Sequence, residues 1–253
     1  MRIASLGSGS RGNATLVQHE QTTLLVDCGF SLRETEKRLG ELGLEAGDID
    51  AILITHEHSD HVRGVGSFVR KHSTPIYMTH GTFRGSEVFD QHPCREIQAG
   101  EDVSVKDISI MPFAVPHDAA EPCQFVFTDG DVRIGLLTDT GMITPHIIAM
   151  LSGCHALLLE CNHDLDMLQQ GEYPPSLKHR VGGDYGHLNN GQAAALLKQM
   201  DTSQLYFIAA MHLSDKNNKP MLARRALGKA LGWRQNDILV ADQETGLDWF
   251  QLN

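Results

Sequence analysis

Thr55-His56-Glu57-His58-Ser59-Asp60-His61 follows directly on the apolar run Ala51-Ile52-Leu53-Ile54. A buried strand of that composition ends with alternate side chains pointing the same way, so His56 and His58 present their imidazoles to one point. A helix beginning at Asp60 swings Asp60 and His61 toward a second point close by. Four potential ligands within six residues begin a two-metal site. A lone H-x-H reads as surface loop, but H-x-H-x-D-H behind an apolar strand does not, because clustered His and Asp are costly without a cation. The mixed His/Asp shell suits Zn or Mn.

The composition agrees with this reading. The 253 residues carry 14 His against 9 Phe, 41% hydrophobic residues and a formal charge of −11. The histidine excess invites metal chemistry, and the negative charge argues against a simple polyanion binder. Five scattered cysteines (Cys28, Cys94, Cys123, Cys154 and Cys161) form no C-x-x-C and fit reduced core thiols, leaving His and carboxylates as metal ligands. Met1 to Leu6 lacks the apolar core of a signal peptide and no apolar run approaches roughly 20 residues. A cytoplasmic protein without membrane contact is expected.

Outward from the motif, short strands are expected at Met1 to Leu6, Ala14 to Gln18, Thr22 to Asp27, Pro75 to Met78, Val103 to Val105 and Ile108 to Val115. Ser31 to Leu42 has helical spacing, with Ser31 as N-cap and Glu34 completing a capping box. A hairpin joins Gln124 to Thr128 with Val132 to Thr138 through Asp129-Gly130, and Ala156 to Glu160 is a further buried strand. Helices at Gly191 to Met200 and Met221 to Leu231 flank a strand at Leu205 to Met211, before a final strand pair near Ile238 to Ala241 and Gly246 to Phe250. Without a repeat or linker, residues 1–253 read as one α/β domain with helices outside two strand-rich halves. Residues 171–234 hold nine Lys/Arg against four acids, a net of +5 that leaves −16 elsewhere. Such asymmetry marks either an anion-facing surface or ordinary solvated helices.

The chain resembles the metallo-β-lactamase-fold superfamily, whose hallmark is the H-x-H-x-D-H motif at a strand end. The likeness extends to Leu24-Leu25-Val26-Asp27-Cys28-Gly29, Val115-Pro116-His117-Asp118, Leu137-Thr138-Asp139-Thr140-Gly141 and Met211-His212-Leu213-Ser214. It implies a four-layer αββα sandwich holding two divalent ions, Zn or Mn. His56, His58 and His117 would hold one ion, Asp60, His61 and His212 the other, and Asp139 would bridge them, with Asp27 orienting the cluster from behind. A ligand cysteine like that of one-Cys zinc β-lactamases is missing, which lowers an antibiotic-hydrolase reading.

More narrowly, the chain resembles the YycJ/WalJ-like family across essentially its full length. The features are Gly7-Ser8-Gly9-Ser10-Arg11-Gly12-Asn13, Leu159-Glu160-Cys161-Asn162-His163-Asp164, Tyr173-Pro174-Pro175-Ser176-Leu177-Lys178, Gly186-His187-Leu188-Asn189-Asn190 and His212-Leu213-Ser214-Asp215-Lys216-Asn217-Asn218. This likeness implies a 5′-to-3′ exonuclease acting on DNA, with a metal-bridging hydroxide attacking phosphorus. Asp60, His187 and His163 would be catalytic residues, His187 protonating the leaving oxygen. Ser8, Ser10, Asn13, Asn189 and Ser214 would contact substrate, the Gly/Ser turn offering its backbone N–H groups to phosphate. Asn189 stands where the family more often has Ser, and Asn189 and Asn190 read equally as a helix start. The basic 171–234 stretch would track the nucleic-acid backbone. Two other readings use the same ligands: a small-molecule phosphodiesterase opening a cyclic ribose phosphate, and a non-nucleolytic metal-binding module.

Overall fold

The computed structural model describes residues 1–89 and 92–252. Its first sheet takes six strands from the N-terminal half: β1 (Arg2–Gly7), β2 (Ala14–His19), β3 (Thr22–Val26), β4 (Ala51–Leu53), β5 (Ile76–Met78) and β6 (Cys94–Glu96). The second takes β7 (Val103–Val105), β8 (Ile108–Ala114), β9 (Cys123–Thr128), β10 (Arg133–Leu137), β11 (Ala156–Glu160), β12 (Phe207–Met211) and β13 (Leu239–Val240). The last strand, β14 (Leu247–Gln251), returns to the first sheet beside β1, giving the orders β14-β1-β2-β3-β4-β5-β6 and β13-β12-β11-β10-β9-β8-β7. The expected final strand pair is therefore split. β13 runs parallel to β12 and β14 antiparallel to β1, with a lone bridge from Asp242 to Gly246 between them.

The central strands are apolar on both faces because each sheet is covered twice. Leu24 and Val26 face the second sheet, meeting Phe125, Leu136 and Leu158, whereas Leu25 between them packs outward with Ile52. Leu157 and Leu159 point the other way from Leu158, onto the outer helices. Those helices are α1 (Leu32–Glu41), α2 (Ser59–Val62), α3 (Val65–His72) and α4 (His80–Arg84) after early strands, and α5 (Pro145–Leu151), α6 (Leu165–Gln170), α7 (Pro175–Val181), α8 (Asn190–Gln199) and α9 (Pro220–Leu231) after later ones. The three apolar clusters, one between the sheets and one under each helix layer, make an αββα sandwich. Phe68 of α3 seals one outer cluster and Leu196 of α8 with Leu227 of α9 the other, and all three are fully buried.

Ser31 caps α1 by accepting from the Glu34 amide at 3.4 Å, but the expected capping box is incomplete. The Glu34 carboxylate turns to Arg38 Nε instead, at 2.7 Å, because Arg38 is buried against Phe30 and needs a counter-charge. The hairpin turn forms as expected, with Gly130 at φ 104° and Asp129 Oδ1 accepting from the amides of Asp131 and Val132.

Strands β3, β4 and β5 run parallel to one another, as do β10, β11 and β12, so their C-terminal ends share one edge of the sandwich. Asp27, Asp139 and His212 sit at or just beyond the ends of β3, β10 and β12 with φ of 60°, 50° and 54°. A left-handed residue breaks the pleat and turns its side chain out of the strand direction, at a cost that Asp tolerates better than most residues. Three strained positions at one edge mark where the fold has been bent toward a site.

Candidate active site

The H-x-H-x-D-H segment leaves β4 as an extended stretch and enters α2 at Ser59, so His56 and His58 precede the helix while Asp60 and His61 lie in its single turn. Two groups of ligand atoms result, His56 with His58 and His117, and Asp60 with His61 and His212. Asp139 joins His56 and His61 in a third group, so one carboxylate stands between the other two.

Neighbours decide which ring nitrogen each histidine offers. His58 donates from Nε2 to the Asp118 carbonyl (3.1 Å) and His117 from Nδ1 to the Gly186 carbonyl (3.0 Å). That leaves His58 Nδ1 and His117 Nε2 facing each other at 3.3 Å. His61 donates from Nδ1 to Asp27 Oδ2 at 2.7 Å, and Asp27 also accepts from the amide and hydroxyl of Thr55. His56 Nε2, His212 Nε2 and Asp139 Oδ2 are buried without a hydrogen-bond partner. Each such atom costs on the order of 1–3 kcal/mol if it stays unmatched. Acceptor atoms converging with their outer nitrogens already tied to carbonyls and carboxylates fit divalent cations, and nothing in the set requires a thiolate.

The electrostatics follow from crowding. Burial and the neighbouring His61, His117 and His58 push the His56 ring well below its usual range. Burial also lowers His61 and His212, but Asp139 with Asp27 and Asp60 raises His61 well above normal, and Asp139, Asp60 and Glu160 raise His212 to about 10. In turn, Asp60, Asp139 and Glu160 would be raised by burial, yet the imidazoliums beside them hold all three carboxyls below their ordinary values. Without cations the site is thus a network of carboxylates neutralised by protons on histidine.

Glu160, which no role was assigned from sequence, ties this network together. It is fully buried at the end of β11; Oε1 accepts from His187 Nδ1 (2.8 Å) and His212 Nδ1 (3.3 Å), and Oε2 from the amides of Thr140 and Leu188. Its signal was legible: an acid closing the apolar run Ala156-Leu157-Leu158-Leu159, the pattern that marks Asp27 after Leu24-Leu25-Val26.

A cavity of about 250 Å³ opens over these groups, lined by Ser10, Asp60, Asp139, His187 and His212 together with Tyr173, Leu177 and Arg180. Of the expected substrate contacts, Ser10 reaches it. Ser8 and Asn13 lie beneath: the Ser8 hydroxyl accepts from the His212 amide (2.8 Å), and Asn13 Nδ2 approaches Asp60 Oδ2 and His61 Nε2 at 3.4 and 3.2 Å. The amides of the Gly/Ser turn are also engaged, Gly9 with Asn13 Oδ1, Arg11 with Gln243 Oε1 and Asn13 with the Asp60 carbonyl, so they support the ligand loop instead of forming an open anion nest. Asn189 spends its side chain in a capping box with Gln192 at the start of α8, and Ser214 accepts from the Asn217 amide. His163, expected among the catalytic groups, is fully buried and does not line the cavity; its ring nitrogens have no hydrogen-bond partner and burial lowers its pKa to about 4.

Residues 22–209 match the family described as Beta-lactamase superfamily domain. Exodeoxyribonuclease YycJ of Bacillus anthracis is 35% identical over 91% of this chain and 89% of its own length. Exodeoxyribonuclease WalJ of Streptococcus pneumoniae strain D39 is 34% identical over 98% and 92%. Among solved structures, the metallo-β-lactamase fold protein YhfI from Bacillus subtilis superposes with a TM-score of 0.77 across 99% of both chains at 17% identity, a likeness of fold. With its fold, motif order and these full-length relatives in agreement, the chain belongs to the metallo-β-lactamase superfamily and, within it, to the YycJ/WalJ family.

Proposed function

We propose that the protein is a metal-dependent phosphodiesterase that removes nucleotides from DNA, starting at a 5′ end, with residues 1–253 acting as one domain. The observation that carries this reading is the pairing of two ligand groups through Asp139 with a carboxylate-anchored histidine, His187, on the wall of the same cavity. The names of the YycJ and WalJ relatives support DNA as substrate, and five free cysteines suit the reducing cytoplasm.

His56, His58 and His117 would hold one divalent ion and Asp60, His61 and His212 a second, with Asp139 between them. Two such ions, Zn or Mn, would supply charge neutralisation at a phosphoryl group and would lower the pKa of a water toward neutrality. The protein's own groups do the rest. Asp27, Asp118, Gly186 and Glu160 hold four of the five rings by their other nitrogen, and the Thr55 hydroxyl stands 3.0 Å from Nδ1 of the fifth, His56, which fixes the tautomers before substrate arrives. His187 spends Nδ1 on Glu160, leaving Nε2 free to face the leaving 3′ oxygen as its proton donor. His163, behind the wall, keeps a positioning role at most.

The test is turnover by the metal-reconstituted protein on 5′-phosphorylated duplex DNA, single-stranded DNA and RNA in parallel, with a cyclic nucleotide as a fourth arm. Shortening of DNA from the 5′ end is expected. Hydrolysis of the cyclic nucleotide alone would replace the reading by a small-molecule phosphodiesterase, and no turnover on any arm by a metal-binding module.

A further inference from the structure

One wall of the cavity has no part in the chemistry described so far. Helix α7 turns Leu177 and Arg180 into it, and Tyr173, from the turn before that helix, completes its edge. The Lys216 ammonium stands 5.8 Å from the centre of the Tyr173 ring. Arg180 is exposed and its Nε lies 2.6 Å from Asp118 Oδ2. An aromatic ring and a leucine beside one guanidinium in the lining are a poor match for a small inorganic anion and a good one for a planar base joined to a phosphate. The volume, about 250 Å³, falls below the roughly 300–1,000 Å³ of sites for drug-sized ligands. It suits a single nucleotide rather than a length of strand.

We propose that this wall is the subsite for the terminal nucleotide, its base stacked on Tyr173 against Leu177 and its terminal 5′-phosphate on Arg180. An exposed ion pair is weak, so a phosphate displaces Asp118 from the guanidinium and gains charge-assisted hydrogen bonds in its place. The inference rests on the phosphodiesterase reading and adds to it how much of the strand enters and which end chemistry is recognised. Stacking on Tyr173 makes the site tolerant of base identity, since every base offers a π-face. A cavity of about 250 Å³ has room for one nucleotide, so one nucleotide is released per turnover.

The manganese-loaded protein is compared on 5′-phosphorylated and 5′-hydroxyl oligonucleotides of one sequence, and binding of a deoxynucleoside 5′-monophosphate is followed by calorimetry. The phosphorylated end is expected to be preferred about tenfold in kcat/KM, and Arg180→Met should abolish the preference. Tyr173→Ala should raise KM about tenfold and weaken monophosphate binding similarly, within the range of one stacked base, and Tyr173→Phe should restore both. Equal turnover of the two ends, a Tyr173→Phe variant as impaired as Tyr173→Ala, or products longer than mononucleotides would overturn the subsite while leaving the exonuclease reading in place. Failure of the wild type to cut any polynucleotide overturns both.

Discussion

Glu160 Oε1 accepts from His187 Nδ1 at 2.8 Å, and the same oxygen lies 3.3 Å from His212 Nδ1. A carboxylate accepts from both rings, which commits each to present Nε2 to the cavity. Glu160→Gln is close to isosteric but reverses this. The amide oxygen would be drawn to the Thr140 and Leu188 amides, leaving an N–H₂ that turns each Nδ1 into an acceptor and protonates Nε2. A protonated Nε2 on His212 cannot ligate. The variant is expected to lose about one ion and to lower kcat by about 10²-fold or more, whereas His187→Ala lowers kcat by about 10²–10⁴-fold with metal retained. Metal analysis beside steady-state kinetics separates the two, and full metal content in Glu160→Gln would contradict the argument.

Asp27 touches the candidate ligand His61 directly, by a 2.7 Å bond to Nδ1, and reaches His56 through the Thr55 hydroxyl, which bonds the carboxylate and stands 3.0 Å from His56 Nδ1. Asp27→Asn should weaken metal affinity roughly 10–100-fold without touching a ligand. Competition against a chromogenic chelator measures it, and an unchanged affinity would remove Asp27 from the site.

Metal binding should release protons. In the metal-free protein His212 titrates at about 10, burial being outweighed by Asp139, Asp60 and Glu160, so below that pH a cation must expel a proton to reach Nε2. Calorimetry in two buffers of different ionisation enthalpy should show net release at pH 7. Stability of the metal-free chain follows the same pairs. The His212 contribution is complete below the unfolded value of about 6.5 and lost as pH rises toward 10. The depressed Asp60, Asp139 and Glu160 contribute above about pH 4 and lose their effect on acidification, and His163, lowered by burial to about 4, costs nothing above about 6.5, a growing amount as pH falls from there to about 4, and its full amount below. Melting temperature without metal should therefore peak near pH 6 to 7. A profile that keeps rising to pH 9 would rule this out.

Gly29 is pinned between the Asn13 loop and α2. A Cβ there would stand 1.7 Å from the Asp60 carbonyl oxygen and 2.7 Å from the Asn13 amide nitrogen, both backbone atoms that cannot swing aside. Gly29→Ala should cost at least the roughly 1–3 kcal/mol of an overpacked core and displace Asp60. Denaturant unfolding and metal stoichiometry should fall together; loss of neither would mean that the ligand loop is free to move.

The thiols should differ sharply in reactivity. Burial raises Cys28 to about 12 and Cys154 to about 11, and Cys123 and Cys161 higher still, whereas Cys94 is part-exposed and raised less. Alkylation of the native protein at pH 8 is expected at Cys94 first, because the thiolate is the reactive form. Mass spectrometry locates the label, and early modification of Cys28 would show that α1 opens readily.

Four of the ligand candidates announce themselves locally, packed into His56 to His61, whereas Asp27, His117, Asp139 and His212 were marked out by the resemblance to the metallo-β-lactamase fold, whose motifs fall there. Helices outside two strand-rich halves were legible in the same local way, since runs such as Leu157-Leu158-Leu159 are apolar on both faces and must be covered on both, while the four-layer order was implied by the family resemblance. Which polar residues face substrate and which brace the ligands could not be read in this way. Asn189 could be read locally as the cap of α8, but Ser8 and Asn13 look like Ser10 as loop residues, and only partners distant in sequence separate them from it: the His212 amide 204 residues away and the Asp60 carboxylate 47 away. Glu160 gained its place through His187 and His212, 27 and 52 residues on, and Tyr173 with Arg180 became a wall because α7 folds back over the strand ends. Residue type and period are local properties, so the chain itself determines the ligands and the layers. Hydrogen-bond partners and cavity walls are set by where distant strand ends meet, and that only the tertiary structure decided.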